Sequence, residues 1–194
     1  MLADNSFDLV VSYDGDAALA EVDRVAARGV KLLKIHPHTQ KFDAADPRVL
    51  TLVKRAGEAG LIVVTDNANI VPSDNEKLFN LALAAPKTKF IFGHMGGLGF
   101  RFWNILALAR PAENLFADNI HFDISASVIL AANSPIEAEY VWTIRNVGVD
   151  HVLLASGFPQ ISLPKTLEAF AKLDLTEEER AKIRSANARK LLGL

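Results

Sequence analysis

The chain has 194 residues, of which 50% are hydrophobic and 23% are charged, and its formal net charge is −2. This hydrophobic fraction allows a sizeable core, and the small net charge gives no indication of nucleic-acid binding, which depends on clustered lysine and arginine. The sequence has no cysteine, so disulfides and thiolate metal sites are excluded.

The N-terminal sequence MLADNSFD has neither the basic nor the apolar region of a signal peptide. No apolar run approaches the length of a membrane span. We therefore expect a cytoplasmic protein that binds neither membrane nor nucleic acid. No linker divides the chain, and its length suits a single domain over residues 1–194.

Six short apolar runs predict the strands, and each run ends in polar residues able to take part in chemistry. The runs are FDLVVSYDGD (7–16), VKLLKIHPH (30–38), LIVVTDNAN (61–69), KFIFGHMGG (89–97), IHFDISAS (120–127) and HVLLASGFPQ (151–160). Helical stretches separate them, and such a β/α repeat builds a parallel sheet with its working residues at the carboxyl ends of the strands. The predicted fold is therefore α/β and TIM-barrel-like, with about six parallel strands.

Capping residues indicate where the intervening helices begin. Asp46 precedes a proline at the first helical position, and Ser73, Ser134 and Thr176 each start a sequence that fits a capping box. The predicted helices span about 16–28, 46–59, 73–85, 98–112, 134–147, 162–172 and 176–192. Apolar residues at helical spacing around Trp103 and Trp142 predict that both rings pack in the core.

Lys34 and His36 lie at the end of the second apolar run, two residues apart, so on a strand their side chains point the same way. His36 is either a metal ligand or substrate contact, or a histidine bonded to a loop carbonyl. Asp66 and Asn67 end the third run, where an aspartate is unusual within a strand. Asp66 therefore functions as a metal ligand, as a general base or as the start of an Asx turn.

The sequence GHMGGLG, residues 93–99, is the most specific local feature. His94 directly follows an apolar strand, and the glycines after it, including Gly96, let backbone approach a ligand closely. His94 is a candidate catalytic or ligand residue. Asp123 lies in the fifth run and either holds the following loop or faces the site, because a buried aspartate must be paired.

Together these motifs resemble the amidohydrolase-related family of metal-dependent hydrolases, the branch that includes aminocarboxymuconate semialdehyde decarboxylase. The segments that carry the resemblance are KIHP (34–37), GLIVV (60–64), GHMGG (93–97), FDIS (122–125), residues 153–159 and NARKLL (187–192). The likeness covers nearly the whole chain, beginning at the third strand of the family barrel. The first two strands of that barrel have no counterpart in this sequence.

The resemblance implies a (β/α)8 barrel with a divalent metal at the strand ends. The family's ligands are a His-x-His on the first strand, a histidine on the fifth and an aspartate on the eighth, and a histidine on the sixth strand assists catalysis. In this chain His94 matches the sixth-strand histidine, while Asp66 replaces the fifth-strand histidine and Gly157 replaces the eighth-strand aspartate. The His-x-His is absent with the first strands.

A replacement ligand set drawn from His36, Asp66, His94 and Asp123 is expected to bind zinc or manganese weakly. The implied function is metal-dependent hydrolysis of a C–N or related bond, or decarboxylation of a small carboxylate-bearing substrate. His94 and Asp66 would be catalytic, and the expected substrate contacts are Lys34, His36, Asn67, Gly96 and Asp123. The alternative is a non-catalytic barrel that has lost its metal site and keeps at most ligand binding.

An open set of six parallel strands leaves an unpaired edge at each end. Neither edge run, 7–13 or 151–156, is rich in the lysine or proline that usually protects such edges. We therefore expect a homo-oligomer, or a rearranged smaller barrel that closes the gap.

Overall fold

The computed structural model describes residues 6–8, 15–112 and 116–194. Six strands form one sheet in the order of the chain, and every neighbouring pair is parallel. They are β1 (Ser6–Asp8), β2 (Leu32–Ile35), β3 (Ile62–Thr65), β4 (Lys89–Phe92), β5 (Ile120–Asp123) and β6 (Val152–Leu153). The predicted six-stranded α/β repeat is confirmed, although part of the first predicted run, residues 9–14, lies outside the described residues.

Helices connect the strands, as the β/α repeat predicted. They are α1 (Asp16–Ala27), α2 (Pro37–Gln40), α3 (Pro47–Glu58), α4 (Asp74–Ala84), α5 (Leu106–Ala109), α6 (Ser125–Ala131), α7 (Glu137–Asn146), α8 (Leu163–Lys172), α9 (Glu177–Ala181) and α10 (Asn187–Leu192). A π-helical turn at Lys182–Ala186 joins α9 to α10. 3₁₀ turns occupy Val149–His151 and the segment Gly93–Ile105, except at residues 94–97, whose backbone is not helical. The predicted helix at 98–112 is thus mostly 3₁₀, and neither α2 nor α6 was predicted.

Two of the predicted caps are confirmed. Asp46 precedes α3, and its Oδ1 accepts a hydrogen bond from the Arg48 backbone N–H at 2.9 Å. Thr176 precedes α9 and forms the reciprocal capping box with Glu179. Both caps satisfy backbone donors that a helix leaves unpaired at its first turn.

The other two predicted caps are wrong. Ser73 has a left-handed backbone with φ of 71°, and its side chain makes no capping hydrogen bond to α4. Ser134 Oγ instead accepts from the Ile136 N–H at 3.3 Å in a turn, and α7 begins only at Glu137. A cap needs an extended backbone at that residue, and the sequence pattern alone does not specify it.

The helix-facing side of the sheet forms the main core. Phe92 and Phe122 from β4 and β5 are fully buried, and Trp103 packs between them with ring centroids 5.1 and 5.0 Å away. Trp103 therefore lies in the core, as predicted. Trp142 is 54% exposed, so its predicted burial is wrong. Helix α7 packs through Tyr140, Val141, Thr143 and Ile144 instead, which turns the Trp142 ring towards solvent.

The opposite side of the sheet has a smaller apolar cluster. Ile62, Ile91 and Leu153 pack there against α10, through Ala188, Leu191 and Leu192. This helix covers the face that a complete barrel would enclose.

β1 and β6 stand at the two ends of the strand order, and among the described residues no pairing joins them. The sheet is therefore open in this part of the chain, and self-association stays a prediction. Among the described residues no helix is long and apolar enough to cross a membrane.

Candidate active site

A cavity of about 300 Å³ opens at the carboxyl ends of the strands. Its lining includes four of the residues predicted from the sequence, Lys34, Asp66, His94 and Asp123, together with Ser125 and residues 155–158. The carboxyl ends of parallel strands are where this architecture places chemistry. Residues distant in the sequence therefore meet at one site.

His94 is held at both ring nitrogens. Its Nε2 lies 3.1 Å from Asp66 Oδ1, and its Nδ1 lies 2.7 Å from Ser125 Oγ. Its backbone N–H also donates to Asp123 Oδ1 at 3.2 Å. These contacts fix the imidazole plane and place Nε2 beside a carboxylate in the cavity.

Asp123 organises the strand ends around His94. Its Oδ1 accepts from the backbone N–H of His94 and from that of Ser125, the latter at 3.0 Å, and from the Ser125 hydroxyl. The Ser125 hydroxyl therefore lies between the carboxylate of Asp123 and the imidazole of His94. Ser125 was not predicted as a site residue. Its position, two residues after an aspartate at the end of a strand, is the sequence feature that could have indicated it.

The chain makes an unusual left-handed turn at His94. Residues 94–97 have φ values of 59°, 47°, 80° and 55°. Two of these residues, His94 and Met95, are not glycine, and L-residues adopt this region at a cost of about 1–2 kcal/mol each. Gly97 has a further constraint, because a Cβ there would lie 2.5 Å from the Ala68 carbonyl oxygen. The strained turn is what directs the imidazole into the cavity.

Asn67 and Gly96, predicted as substrate contacts, do not line the cavity and instead hold this turn in place. With its amide oriented to satisfy its neighbours, Asn67 donates to Asn75 Oδ1 at 2.7 Å and accepts from the Gly96 N–H at 3.3 Å and from Trp103 Nε1 at 3.1 Å. Asn67 is only 1% exposed. Its hydrogen-bonding capacity is used inside the protein, and its assignment as a substrate contact stays a prediction.

His36 lies beside the cavity rather than in its lining. It precedes α2, where its Nδ1 accepts from the Thr39 N–H at 3.4 Å, and its Nε2 lies 3.8 Å from Asp66 Oδ1. Asp66 thus has a histidine on each side. The contact with His36 is electrostatic, since the distance exceeds that of a hydrogen bond.

The carboxylate and the imidazole shift one another's pKa. Burial acts to raise the pKa of Asp66, but the hydrogen bond from His94 and the charges of His36 and His94 outweigh it and lower that pKa. The hydrogen bond to Asp66 raises the pKa of His94 against the effect of burial, and the charge of Asp123 adds to the increase. The site therefore favours an ionised Asp66 and a protonated His94.

The described residues do not fit the divalent metal that the family resemblance implies. Within residues 15–112 and 116–194, no group of three or more histidine, aspartate and glutamate side chains is arranged to hold a metal ion. Asp66 Oδ2 is buried without a hydrogen-bond partner, but both nitrogens of His94 are already engaged. Gly157, which lines the cavity, offers no ligand.

A family model described as Amidohydrolase (Amidohydro_2) matches residues 5–194, and the chain therefore belongs to this family. Among curated proteins, the chain is 30% identical over 122 residues to gamma-resorcylate decarboxylase from Rhizobium radiobacter, and 30% identical over 120 residues to the enzyme of that name from Rhizobium sp. (strain MTP-10005). The matches cover 57% and 56% of this chain but only 36% and 35% of the relatives. The chain thus spans about a third of the length of these relatives.

Solved structures confirm the TIM-barrel-like fold. An uncharacterized TIM-barrel protein from Bordetella bronchiseptica superposes with a TM-score of 0.76 at 18% identity, over 97% of this chain and 65% of that one. Dihydroxybenzoic acid decarboxylase from Polaromonas sp. JS666, solved with bound manganese and the inhibitor 2-nitroresorcinol, gives a TM-score of 0.67 at 17% identity. That match covers 94% of this chain and 67% of that chain.

Proposed function

We propose that this amidohydrolase-family chain carries a proton-transfer site that acts in the decarboxylation of a small aromatic carboxylic acid. The observation that carries the proposal is the placement of His94, whose imidazole faces the cavity beside Lys34 and is held between Asp66 and Ser125. The relatives that match at 30% identity are named as decarboxylases of such an acid.

Decarboxylation replaces a carbon–carboxylate bond with a carbon–hydrogen bond. The carboxylate leaves as carbon dioxide, the bonding electron pair remains on the ring carbon, and one proton must be delivered to that carbon. The proton that His94 Nε2 shares with Asp66 in the cavity is suited to this step, since general acids work best with a pKa near the working pH. Asp66 stabilises the protonated form of His94. When the proton moves to the ring carbon, the imidazole becomes neutral and Asp66 stays ionised.

The cavity suits a substrate of one ring. Its volume of about 300 Å³ is at the lower end of the range of small-molecule pockets. Lys34 at the end of β2 places a cation in the lining, where it can attract a carboxylate before the reaction. Phe158, beside Gly157, adds an apolar ring at the rim.

No step in this proposal passes through a metal, because the described residues do not provide a fitting ligand set. Weak binding of zinc or manganese stays a prediction. Hydrolysis of a C–N bond also stays a prediction, and the names of the matching relatives favour decarboxylation over it.

The test is to incubate the protein with 2,6-dihydroxybenzoate and measure carbon dioxide release and formation of the decarboxylated ring. We expect turnover in the parent and its loss in His94→Gln, which removes the transferable proton. His38→Gln is the matched control, because His38 pairs with Asp74 outside the cavity. Equal turnover in parent and His94→Gln would overturn the proposal.

A second function is binding of the same acid without catalysis. It is favoured by Gly157, because glycine stands where the family resemblance has an aspartate ligand. Calorimetry separates the two functions. Binding of 2,6-dihydroxybenzoate that Lys34→Gln weakens, with no carbon dioxide released, would establish the second.

A further inference from the structure

A second cavity, of about 420 Å³, lies at the opposite edge of the sheet, where β2, β3 and β4 begin. Four lysines line it: Lys31 before β2, Lys87 and Lys89 around the start of β4, and Lys190 on α10. No aspartate or glutamate is among its lining residues. The cavity therefore concentrates positive charge from three separate parts of the chain.

The ammonium groups are not neutralised within the described part of the chain. None of the four lysines forms an ion pair there, whereas Lys77, Lys172 and Lys182 each pair with a carboxylate. The charge of Lys89 also acts inside the protein, since burial, the charge of His151 and the charge of Lys89 together lower the pKa of His121 on β5. Like charges gathered without a counter-ion repel one another and favour the binding of an anion.

The segment that bears two of the lysines is rigid. Thr88, between Lys87 and Lys89, is 1% exposed, and its hydroxyl donates to the Val53 carbonyl at 2.9 Å. Its own carbonyl accepts from Asn119 Nδ2 at 2.8 Å. Gly57 on α3 allows this approach, because a Cβ there would overlap Thr88 Oγ1. The backbone that carries both lysines is therefore fixed before any ligand arrives, which lowers the entropy cost of binding.

The remaining lining is apolar. Ile62 of β3 and Leu191 of α10, which pack against each other in the smaller apolar cluster, both contribute to it. A ligand can therefore direct its charges at the lysines while a less polar part faces these side chains. Neither Asp66 nor His94 lines this cavity.

We propose that this basic cavity binds a small polyanion, a molecule with two or more negative charges carried by phosphate or carboxylate groups. The site is separate from the proposed decarboxylation site, because the two lie at opposite ends of the strands. Its occupant would bridge the start of β2, the Lys87–Lys89 segment and α10, and would therefore stabilise the packing of α10 on the sheet.

Isothermal titration with pyrophosphate and with citrate, at constant ionic strength, tests the proposal and distinguishes phosphate from carboxylate sources. We expect one binding site per chain for at least one probe, and a rise in melting temperature with the same probe. Lys89→Gln and Lys190→Gln should each weaken binding about tenfold, the effect of losing one charge-assisted hydrogen bond.

Lys54→Gln is the matched control, since Lys54 is an exposed lysine of α3 outside the cavity lining. It removes the same charge and should leave affinity unchanged. An equal loss in all three variants would show attraction to net charge alone and overturn the proposal. Absence of binding by both probes in the parent would overturn it as well.

Discussion

Asp66 and His94 are coupled across neighbouring strands, with the Oδ1 of the aspartate 3.1 Å from Nε2 of the imidazole. This hydrogen bond is the largest influence raising the pKa of His94. The carboxylate is 9% exposed, so solvent screens the interaction little. Protonation of the histidine and ionisation of the aspartate therefore depend on each other.

Replacing Asp66 with asparagine should lower the pKa of His94, because the amide carries no charge to stabilise the imidazolium. NMR titration of the His94 ring protons measures this shift directly. Asp43→Asn removes a carboxylate that pairs with Lys77 instead and should leave the titration unchanged. A His94 titration that is the same in parent and Asp66→Asn would contradict the coupling.

Gly157→Asp should strengthen binding of zinc or manganese, because it adds a carboxylate to the cavity that contains His94 and Asp66. The position has space, since the nearest atom to an added Cβ is Ser125 Cβ at 3.8 Å. Its φ of 74° is one that aspartate and asparagine tolerate better than most residues. Calorimetric titration of parent and variant with each ion measures the gain.

Gly157→Asn is the control for that substitution, because it matches the shape of aspartate without the charge. Equal affinity in the two variants would mean that the new carboxylate does not reach the metal. Tight binding of one metal ion per chain by the parent would instead show that the existing residues already form a working metal site.

The two tryptophans should differ sharply in their contributions to stability. Trp103→Ala removes a fully buried ring and should lower the free energy of unfolding by about 3–5 kcal/mol. Trp142→Ala removes a half-exposed ring on α7 and should cost less than about 1 kcal/mol. Urea denaturation of both variants gives the comparison, and similar losses would refute the assignment of Trp103 to the core.

Gly97→Ala should destabilise the protein more than Gly60→Ala. Both glycines have positive φ, at 55° and 79°, so alanine is strained at either position. Gly97 also has ψ of −128°, outside the left-handed helical region. Only at Gly97 would the added Cβ meet an atom, the Ala68 carbonyl oxygen at 2.5 Å. Thermal denaturation should therefore show a larger loss for Gly97→Ala, and equal losses would mean that the turn relaxes to admit a side chain.

His121 should make the fold sensitive to acid. Burial, with the charges of His151 and Lys89, lowers the pKa of His121 to about 4 from its ordinary value of 6.5. Between these pH values the unfolded chain binds a proton that the folded chain does not, so the free energy of unfolding decreases as pH falls from 6.5 towards 4. The loss from this residue is at most about 3 kcal/mol.

Chemical denaturation at pH 7 and pH 5 measures that effect. His121→Gln should lose less stability between the two pH values than the parent, because it removes the buried imidazole. An unchanged pH dependence in His121→Gln would show that the buried imidazole is protonated as easily in the folded chain as in the unfolded one.

The strand ends were predictable because a parallel sheet brings them together whatever lies between them. Lys34, Asp66, His94 and Asp123 were identified on that ground, and all four line one cavity. Asn67 occupies a sequence position as suitable as that of Asp66, and only the packing of Trp103 and Asn75 shows that its amide points inward. Long-range packing of this kind leaves no local pattern.

The helices show the same difference between features set by local sequence and features set by long-range packing. Asp46 and Thr176 act through their own backbone and the next turn, so their caps were readable from the sequence. The exposure of Trp142 depends on which side of α7 meets the rest of the protein. The basic cavity was not predicted either, because its lysines come from three segments that only the folded sheet and α10 bring together.

The position of α10 also bears on how the protein is made. Its residues follow all six strands in the chain, so during synthesis Ile62, Ile91 and Leu153 emerge from the ribosome well before Leu191 and Leu192, which cover them. Until then a sheet already formed presents an uncovered apolar face, the kind of surface that recruits chaperones or aggregates. The growing polypeptide is therefore exposed to aggregation in the interval between translation of β6 and translation of α10.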